Sequence, residues 1–179
     1  VNTLARYIIC EISDNSFEPN YIPTDISQYH VRKAARGILV HEGKAALLNV
    51  SKKNYHKLPG GGTEKGETNE EAFKREVLEE TGCKCKIKEE NPVTIEYRDK
   101  ERLVQISYIF LAEVEGEIGQ PNFEQNEIDE GFQLEWLPIE EVGQVLSKDN
   151  PLDWESKFIH LRDKEIFKFY QNQLSDSNT

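Results

Sequence analysis

Apolar residues are spaced in two ways along this chain, and the change of period marks its parts. Leu4 to Ile12 (LARYIICEI) is apolar enough for a strand, and Asp14 to Gln28, with two prolines among Asn, Asp and Ser, reads as a loop. Val31 to Val40 (VRKAARGILV) predicts a strand ending in the turn His41-Glu42-Gly43-Lys44, with Ala45 to Val50 as its hairpin partner. Ser51 to Lys57 is a polar, basic lead-in to Leu58-Pro59-Gly60.

The period then becomes helical. Phe73 and Val77, one turn apart, supply a stripe that would dock a helix over Asn69–Thr81. Thr68 and Glu71 make a capping-box pair at its start, and Gly82 stands where a left-handed residue closes a helix. Extended chain returns at Cys85–Ile87 and Val93–Arg98, and Arg102–Val114 is dense in β-branched and aromatic residues. Gly116–Gly131 reads as a long acidic loop and Leu134–Leu137 as a short strand. Pro138 opens a helix through Leu146. A last helix follows Asp153 to about Leu174, with Phe158, Leu161, Ile166, Phe169 and Tyr170 on its apolar face; Ser175–Thr179 reads as a disordered tail. Strands before and after one helix, then further helices, predict a mixed sheet packed between helices. One α/β domain is expected over residues 1–174, with residues 1–28 as an N-terminal extension.

Composition narrows the partners. A chain of 179 residues with 37% hydrophobic content can bury one real core. A net charge of −11 disfavours a nucleic-acid backbone or an anionic membrane as the main partner. Cys10, Cys83 and Cys85 have no zinc-like spacing and read as reduced thiols. No apolar run approaches the ~20 residues of a membrane span and no signal peptide is legible, so a cytoplasmic location is expected.

The chemistry concentrates on the first helix. Glu76, Glu79 and Glu80 stand at i, i+3 and i+4, so three carboxylates share one face and repel one another. Lys74 and Arg75 could pair with them as an ordinary solvated face. The glycine turn at a fixed distance before the helix and the closing Gly82 argue instead for positioned carboxylates. Hard oxygen ligands of this kind suit Mg²⁺ or Mn²⁺, which borrow further oxygens from a substrate phosphate.

In full, Gly60–Cys83 resembles the Nudix box, G-x5-E-x7-R-E-U-x-E-E-x-G-U, with U a bulky aliphatic residue. Gly61, Glu67, Arg75, Glu76, Val77, Glu79, Glu80 and Gly82 fall in register, and Cys83 stands at the last aliphatic position. The resemblance implies a Nudix α/β/α sandwich that cleaves a P–O–P bond in a nucleoside diphosphate derivative with Mg²⁺ or Mn²⁺. By that resemblance Glu79 and Glu80 are the main metal ligands, Glu76 is a ligand or base, and the Gly60 carbonyl completes the sphere. Glu67 and Arg75 are expected to form an ion pair fixing loop to helix, with phosphate contact as the second role for Arg75. A further glutamate is expected from the loop after the long strand, Glu127 first and Glu130 next.

His56 and Lys57, beside the glycine turn, are candidates for substrate phosphate, and Tyr55 or Tyr97 for stacking on a base. The proline that marks many ADP-ribose hydrolases of the family would fall at Arg98, and Tyr97 lies too early for the dinucleoside polyphosphate marker. A nucleoside triphosphate, oxidised or not, is left by elimination. The expected partner is a small-molecule nucleotide, with a homodimer left open. A non-catalytic nucleotide sensor is the alternative, although such a module would be expected to have lost one of the helix carboxylates.

Overall fold

The computed structural model describes residues 7–176, so Leu4–Arg6 of the first predicted strand and residues 177–179 of the predicted tail lie outside the described residues. The strands are β1 (Ile8–Ser13), β2 (His30–His41), β3 (Lys44–Val50), β4 (Tyr55–Lys57), β5 (Gly60–Gly62), β6 (Lys84–Arg98), β7 (Leu103–Glu115) and β8 (Phe132–Pro138). The helices are α1 (Asn69–Thr81), α2 (Gln125–Glu130), α3 (Ile139–Lys148) and α4 (Trp154–Asp176). The strands form one mixed sheet in the order β1-β6-β7-β2-β3-β4, with β5 on β2 and β8 on β3. β2 runs parallel to β7, while β3 and β5 pair antiparallel to β2.

Both faces of the central strands are apolar, which is why they read as continuous hydrophobic runs. Ile38, Ala45, Leu47, Ile109 and Leu111 point to one side, where Ile139, Val142 and Leu146 of α3 and Ile166, Phe167 and Tyr170 of α4 cover them. The alternate residues Leu39, Ala46, Phe110 and Ala112 meet Ala72, Phe73 and Val77 of α1 on the other side. Phe73 stacks on Phe110 with ring centroids 4.8 Å apart. The result is the expected α/β/α sandwich in a single domain. No helix among the described residues is long and apolar enough to cross a membrane.

Helix α1 has the predicted bounds because its ends are chemically marked. Thr68 Oγ1 accepts from the Glu71 amide and Glu71 accepts from the Thr68 amide, while Gly82 closes the helix at φ 72°. Other elements differ from the sequence reading. The glycine turn is itself a strand, since Gly60–Gly62 pairs with Ala34–Arg36 of β2. The polar lead-in holds a 3₁₀ turn at Ser51–Lys53 and the short β4. Two register shifts let β6 run unbroken where two extended pieces were expected. The long acidic loop contains α2, which carries its own capping box between Glu124 and Glu127. In α4, Phe169 is half exposed, and the buried face is completed by Phe167 and by two charged residues, Arg162 and Asp163. That helix also continues past Leu174 to Asp176, into the segment expected to be a tail.

Candidate active site

The open end of the sheet holds a cavity of about 380 Å³ between β2, β5, α1, α2 and α4. Its first wall is the carboxylate face of α1. Arg75 organises this wall: Nε donates to Glu67 Oε1 at 2.7 Å, and Nη2 to Glu67 Oε2 at 3.2 Å and to the Gly62 carbonyl at 3.0 Å. Its Nη1 donates to Glu76 Oε1 at 2.8 Å and Glu79 Oε2 at 3.1 Å. A guanidinium has five N–H donors, and these contacts use all five. Arg75 therefore ties loop to helix and retains no donor for a phosphate.

Glu80 is the deep member, 1% exposed. Its Oε2 accepts from the Gly60 amide at 2.7 Å, and its Oε1 accepts from Lys57 Nζ at 2.8 Å. Burial pushes the Glu80 carboxyl up to about 7, against the opposing pull of Lys57 and the Gly60 amide. The glycines make room for this arrangement. A Cβ on Gly61 would overlap the Glu76 carboxylate, and one on Gly60, at φ 137°, would overlap the backbone of Ala35 and Arg36.

The facing wall is α2 and its approach, where Glu124, Glu127 and Glu130 all border the cavity. Glu127 Oε2 accepts from the Glu124 amide at 2.8 Å. Burial raises the Glu127 carboxyl above its usual range, with Glu76 across the cavity adding to the effect. Glu130 is instead paired with Lys53 at 2.7 Å.

The two basic candidates part company. Lys57 borders the cavity, with Nζ also 3.3 Å from the Gly60 carbonyl and over the Phe132 ring. His56 is outside the cavity lining and is bound elsewhere. Its Nδ1 is 2.8 Å from Asp149 Oδ1, its amide donates to Asp149 Oδ2 at 2.8 Å, and Nε2 is 3.4 Å from Glu135. Burial alone would lower the imidazole, but Asp149 and Glu135 outweigh it and hold the ring above its ordinary range. His56 thus clasps β4 to the end of α3, and the phosphate contact expected of it is replaced by these two carboxylates. Of the two tyrosines, Tyr55 is buried in the cavity wall, while Tyr97 donates to Glu11 away from it.

Whether these residues suit a divalent ion can be judged from what fills their coordination now. Lys57 Nζ bridges Glu80 and the Gly60 carbonyl, and Arg75 Nη1 bridges Glu76 and Glu79, so cationic groups stand among the carboxylates. Among the described residues, no three His, Cys, Asp or Glu side chains close on one point as a metal cluster. The donor set is nevertheless entirely hard oxygen, which fits Mg²⁺ or Mn²⁺ and not a thiolate- or imidazole-seeking metal.

The NUDIX domain model matches residues 31–160, which takes in the cavity walls and most of the sheet. The chain belongs to the NUDIX family. With that it is a Nudix-type hydrolase, acting on diphosphate (acid-anhydride) bonds. No curated protein matches the chain in sequence. The fold is similar to the E. coli ORF135 protein, at TM-score 0.54 and 17% identity over 83% of this chain and 96% of that one. It is similar to a NUDIX hydrolase from Nitrosomonas europaea, at TM-score 0.54 and 17% identity over 75% and 91%. A UDP-X diphosphatase is also similar, at TM-score 0.52 and 17% identity over 89% and 70%. At these identities the likeness shows the fold alone.

The sequence reading missed the far side of the cavity. Arg32, Arg36, Arg98 and Arg162 border it, with Gln105 between them. One signal was present: Arg32 and Arg36 lie four apart on one face of a strand otherwise read as apolar.

Proposed function

We propose that this Nudix protein hydrolyses the P–O–P bond of a nucleoside diphosphate derivative in a reaction that depends on Mg²⁺ or Mn²⁺. The observation that carries the reading is the pair of acidic walls facing each other across one cavity, with Glu80 buried and pinned to the Gly60 amide. Glu76, Glu79, Glu80 and the Gly60 carbonyl would hold the ion, and Glu127 would face them from α2. A divalent ion in this place neutralises phosphate oxygens and lowers the pKa of water.

The protein's own groups do the positioning. Glu67 and Arg75 fix the angle between β5 and α1, so the carboxylates and the Gly60 carbonyl keep one geometry. Lys57, now bound to Glu80 at the cavity wall, would have its ammonium available for a phosphate oxygen if Glu80 served as a metal ligand. Glu127 has one oxygen committed to the Glu124 amide, and burial raises its carboxyl, which makes it a better proton acceptor than an exposed glutamate. Most of the lining is polar, as the handling of a charged diphosphate requires.

The test is a phosphate-release screen with Mg²⁺ or Mn²⁺ over nucleoside triphosphates and their oxidised forms, ADP-ribose, nucleotide sugars, dinucleoside polyphosphates, NADH and coenzyme A. Metal-dependent turnover of at least one of them is expected. Silence across the panel, combined with tight nucleotide binding, would overturn hydrolysis in favour of a sensor.

A further inference from the structure

Most of the acidic residues occupy one half of the cavity, and four arginines, with Glu155 beside Arg98, build the other. Arg32 and Arg36 come from β2, Arg98 from the end of β6 and Arg162 from α4. A buried guanidinium is costly unless acceptors compensate it. Two of the four are compensated. Arg98 Nη2 reaches Glu96 Oε1 at 2.8 Å and its Nη1 lies 3.4 Å from Glu101 and 3.6 Å from Glu155, while Arg162 reaches Glu96 Oε2 at 3.2 Å and Asp163 Oδ1 at 2.7 Å. Burial alone would raise Glu96, yet Arg162, Arg98 and Arg36 hold it down at about 2, so it stays ionised and fully used.

Arg36 is different. It is 5% exposed, its Nε donates to Ser107 Oγ at 3.1 Å, and among the described residues no carboxylate lies within ion-pair distance. Burial and the like charge of Arg162 bring its guanidinium down to about 10, so it still carries its charge at neutral pH. Arg32, exposed at the mouth, gives Nη1 to Gln105 at 3.1 Å, and among the described residues no carboxylate pairs with it. Arg162 Nη2 is buried and makes no hydrogen bond among the described residues. A chain of net charge −11 thus keeps a buried cation without a carboxylate in direct contact, and an unused guanidinium nitrogen of Arg162, at the wall of its substrate cavity. Glu96 and Asp163 act on Arg36 only at longer range and spend their direct contacts on other groups, so among the described residues no carboxylate contacts the Arg36 guanidinium. The missing partner is an anion, and planar guanidinium forks match phosphate oxygens best.

We propose that Arg36, with Arg32 and Arg162, binds a phosphate of the substrate that lies beyond the anhydride bond being cleaved. This rests on the hydrolase reading and sharpens it. The group on the far side of the diphosphate is itself anionic, so the substrate class is a nucleoside triphosphate or longer polyphosphate and not a nucleotide sugar with a neutral sugar.

The direct test needs neither metal nor turnover. Thermal unfolding of the whole protein is followed in EDTA against inorganic tripolyphosphate, for wild type and for Arg36→Met, which keeps length and removes charge. Wild type should be stabilised saturably, and the variant should bind about 10- to 100-fold more weakly, the loss expected for a charge-assisted contact. The variant's Tm without ligand should not fall, because the cost of burying this cation outweighs the longer-range attraction of Glu96 and Asp163; this separates lost binding from lost fold. A second arm compares kcat/KM with Mg²⁺ for nucleoside triphosphates and uncharged nucleotide sugars. Wild type should prefer the triphosphates, Arg36→Met should lose most of that preference, and tripolyphosphate should inhibit competitively.

Equal stabilisation of both proteins by tripolyphosphate would overturn the proposal. So would an equal loss on both substrate classes, or non-competitive inhibition, which would make the site one for a free anion. Failure of all turnover would count against the hydrolase reading while the EDTA measurement still decided the anion site.

Discussion

Changing Glu80 to Gln tests whether burial sets the state of the acidic wall. In the metal-free protein Glu80 is 1% exposed and its carboxyl is raised from 4.5 to about 7. At 1.36 kcal/mol per unit, that difference corresponds to about 3 kcal/mol. Because the folded value lies above the unfolded one, the folded state binds the proton more tightly. The associated stability is fully present below the unfolded value of 4.5 and is lost as pH rises through about 7. Glutamine stays neutral throughout, but its single carbonyl oxygen cannot serve both the Gly60 amide and Lys57, which costs about 1 kcal/mol. In EDTA the two proteins should therefore be near parity at pH 5. At pH 8 the variant should be more stable by about 2 kcal/mol, or roughly 4–8 °C in Tm for a chain of this size. Wild type should regain stability at pH 8 on adding Mg²⁺, and the variant should not. Hydrolysis by the variant should fall about 100-fold or more, since an ion that contributes several kcal/mol to the transition state loses a buried ligand. Scanning calorimetry at pH 5, 6.5 and 8 provides the comparison. A stability difference that does not change with pH would refute the burial argument, and near-normal Mg²⁺-dependent turnover would refute the ligand assignment.

Three further changes probe the rest of the molecule. Glu127→Gln should lower kcat about 100-fold, as expected for a lost proton acceptor. Glu130→Gln, whose carboxylate is paired with Lys53, should lower it only a few-fold, and the reverse order would exchange their roles. His56→Gln should cost about 2 kcal/mol at pH 6 and less at pH 9. A raised imidazole stabilises fully below its unfolded value of 6.5 and loses that contribution as pH rises through the folded one; its turnover should be close to wild type, and denaturant melts at both pH values with one kcat determination check this. Phe73→Ala should destabilise by about 3–5 kcal/mol, since the ring is fully buried and stacked on Phe110. A loss under 1 kcal/mol in urea unfolding would show that α1 is not anchored there.

Helix α1 was legible from sequence because every constraint on it is local. The cap at Thr68, the closure at Gly82, the stripe of Phe73 and Val77 and the carboxylate spacing all lie within fifteen residues. Strand interiors were also legible, because two covered faces leave long apolar runs. Segments whose structure depends on a partner were not. Gly60–Gly62 has no side chains to signal a strand and becomes one only because β2 supplies the register. Gln125–Glu130 looked like a solvated acidic loop, and its helix is held by Glu127 capping back onto Glu124. His56 beside a glycine segment suggested phosphate, and only the fold brings Asp149, ninety-three positions on, into contact with it.

The basic half of the cavity shows the same limit in its strongest form. Arg36, Arg98 and Arg162 come from two strands and a helix that are far apart in sequence, and each taken alone reads as an ordinary charged residue. Their meaning lies in the charge balance once they meet. Glu96, Glu101 and Glu155 stand within ion-pair distance of Arg98, and Glu96 and Asp163 of Arg162, whereas no carboxylate of the described residues comes that close to Arg36. Further protein carboxylates would have been simple to provide in a chain with 33 acidic residues. A carboxylate beside Arg36 would stabilise the empty fold and compete with any anion entering the cavity. An acidic residue placed opposite it, by Ser107→Asp, should therefore raise Tm in the absence of ligand and abolish tripolyphosphate binding in EDTA. If Tm falls and binding persists, Arg36 is satisfied in some other way and the charge-balance argument fails.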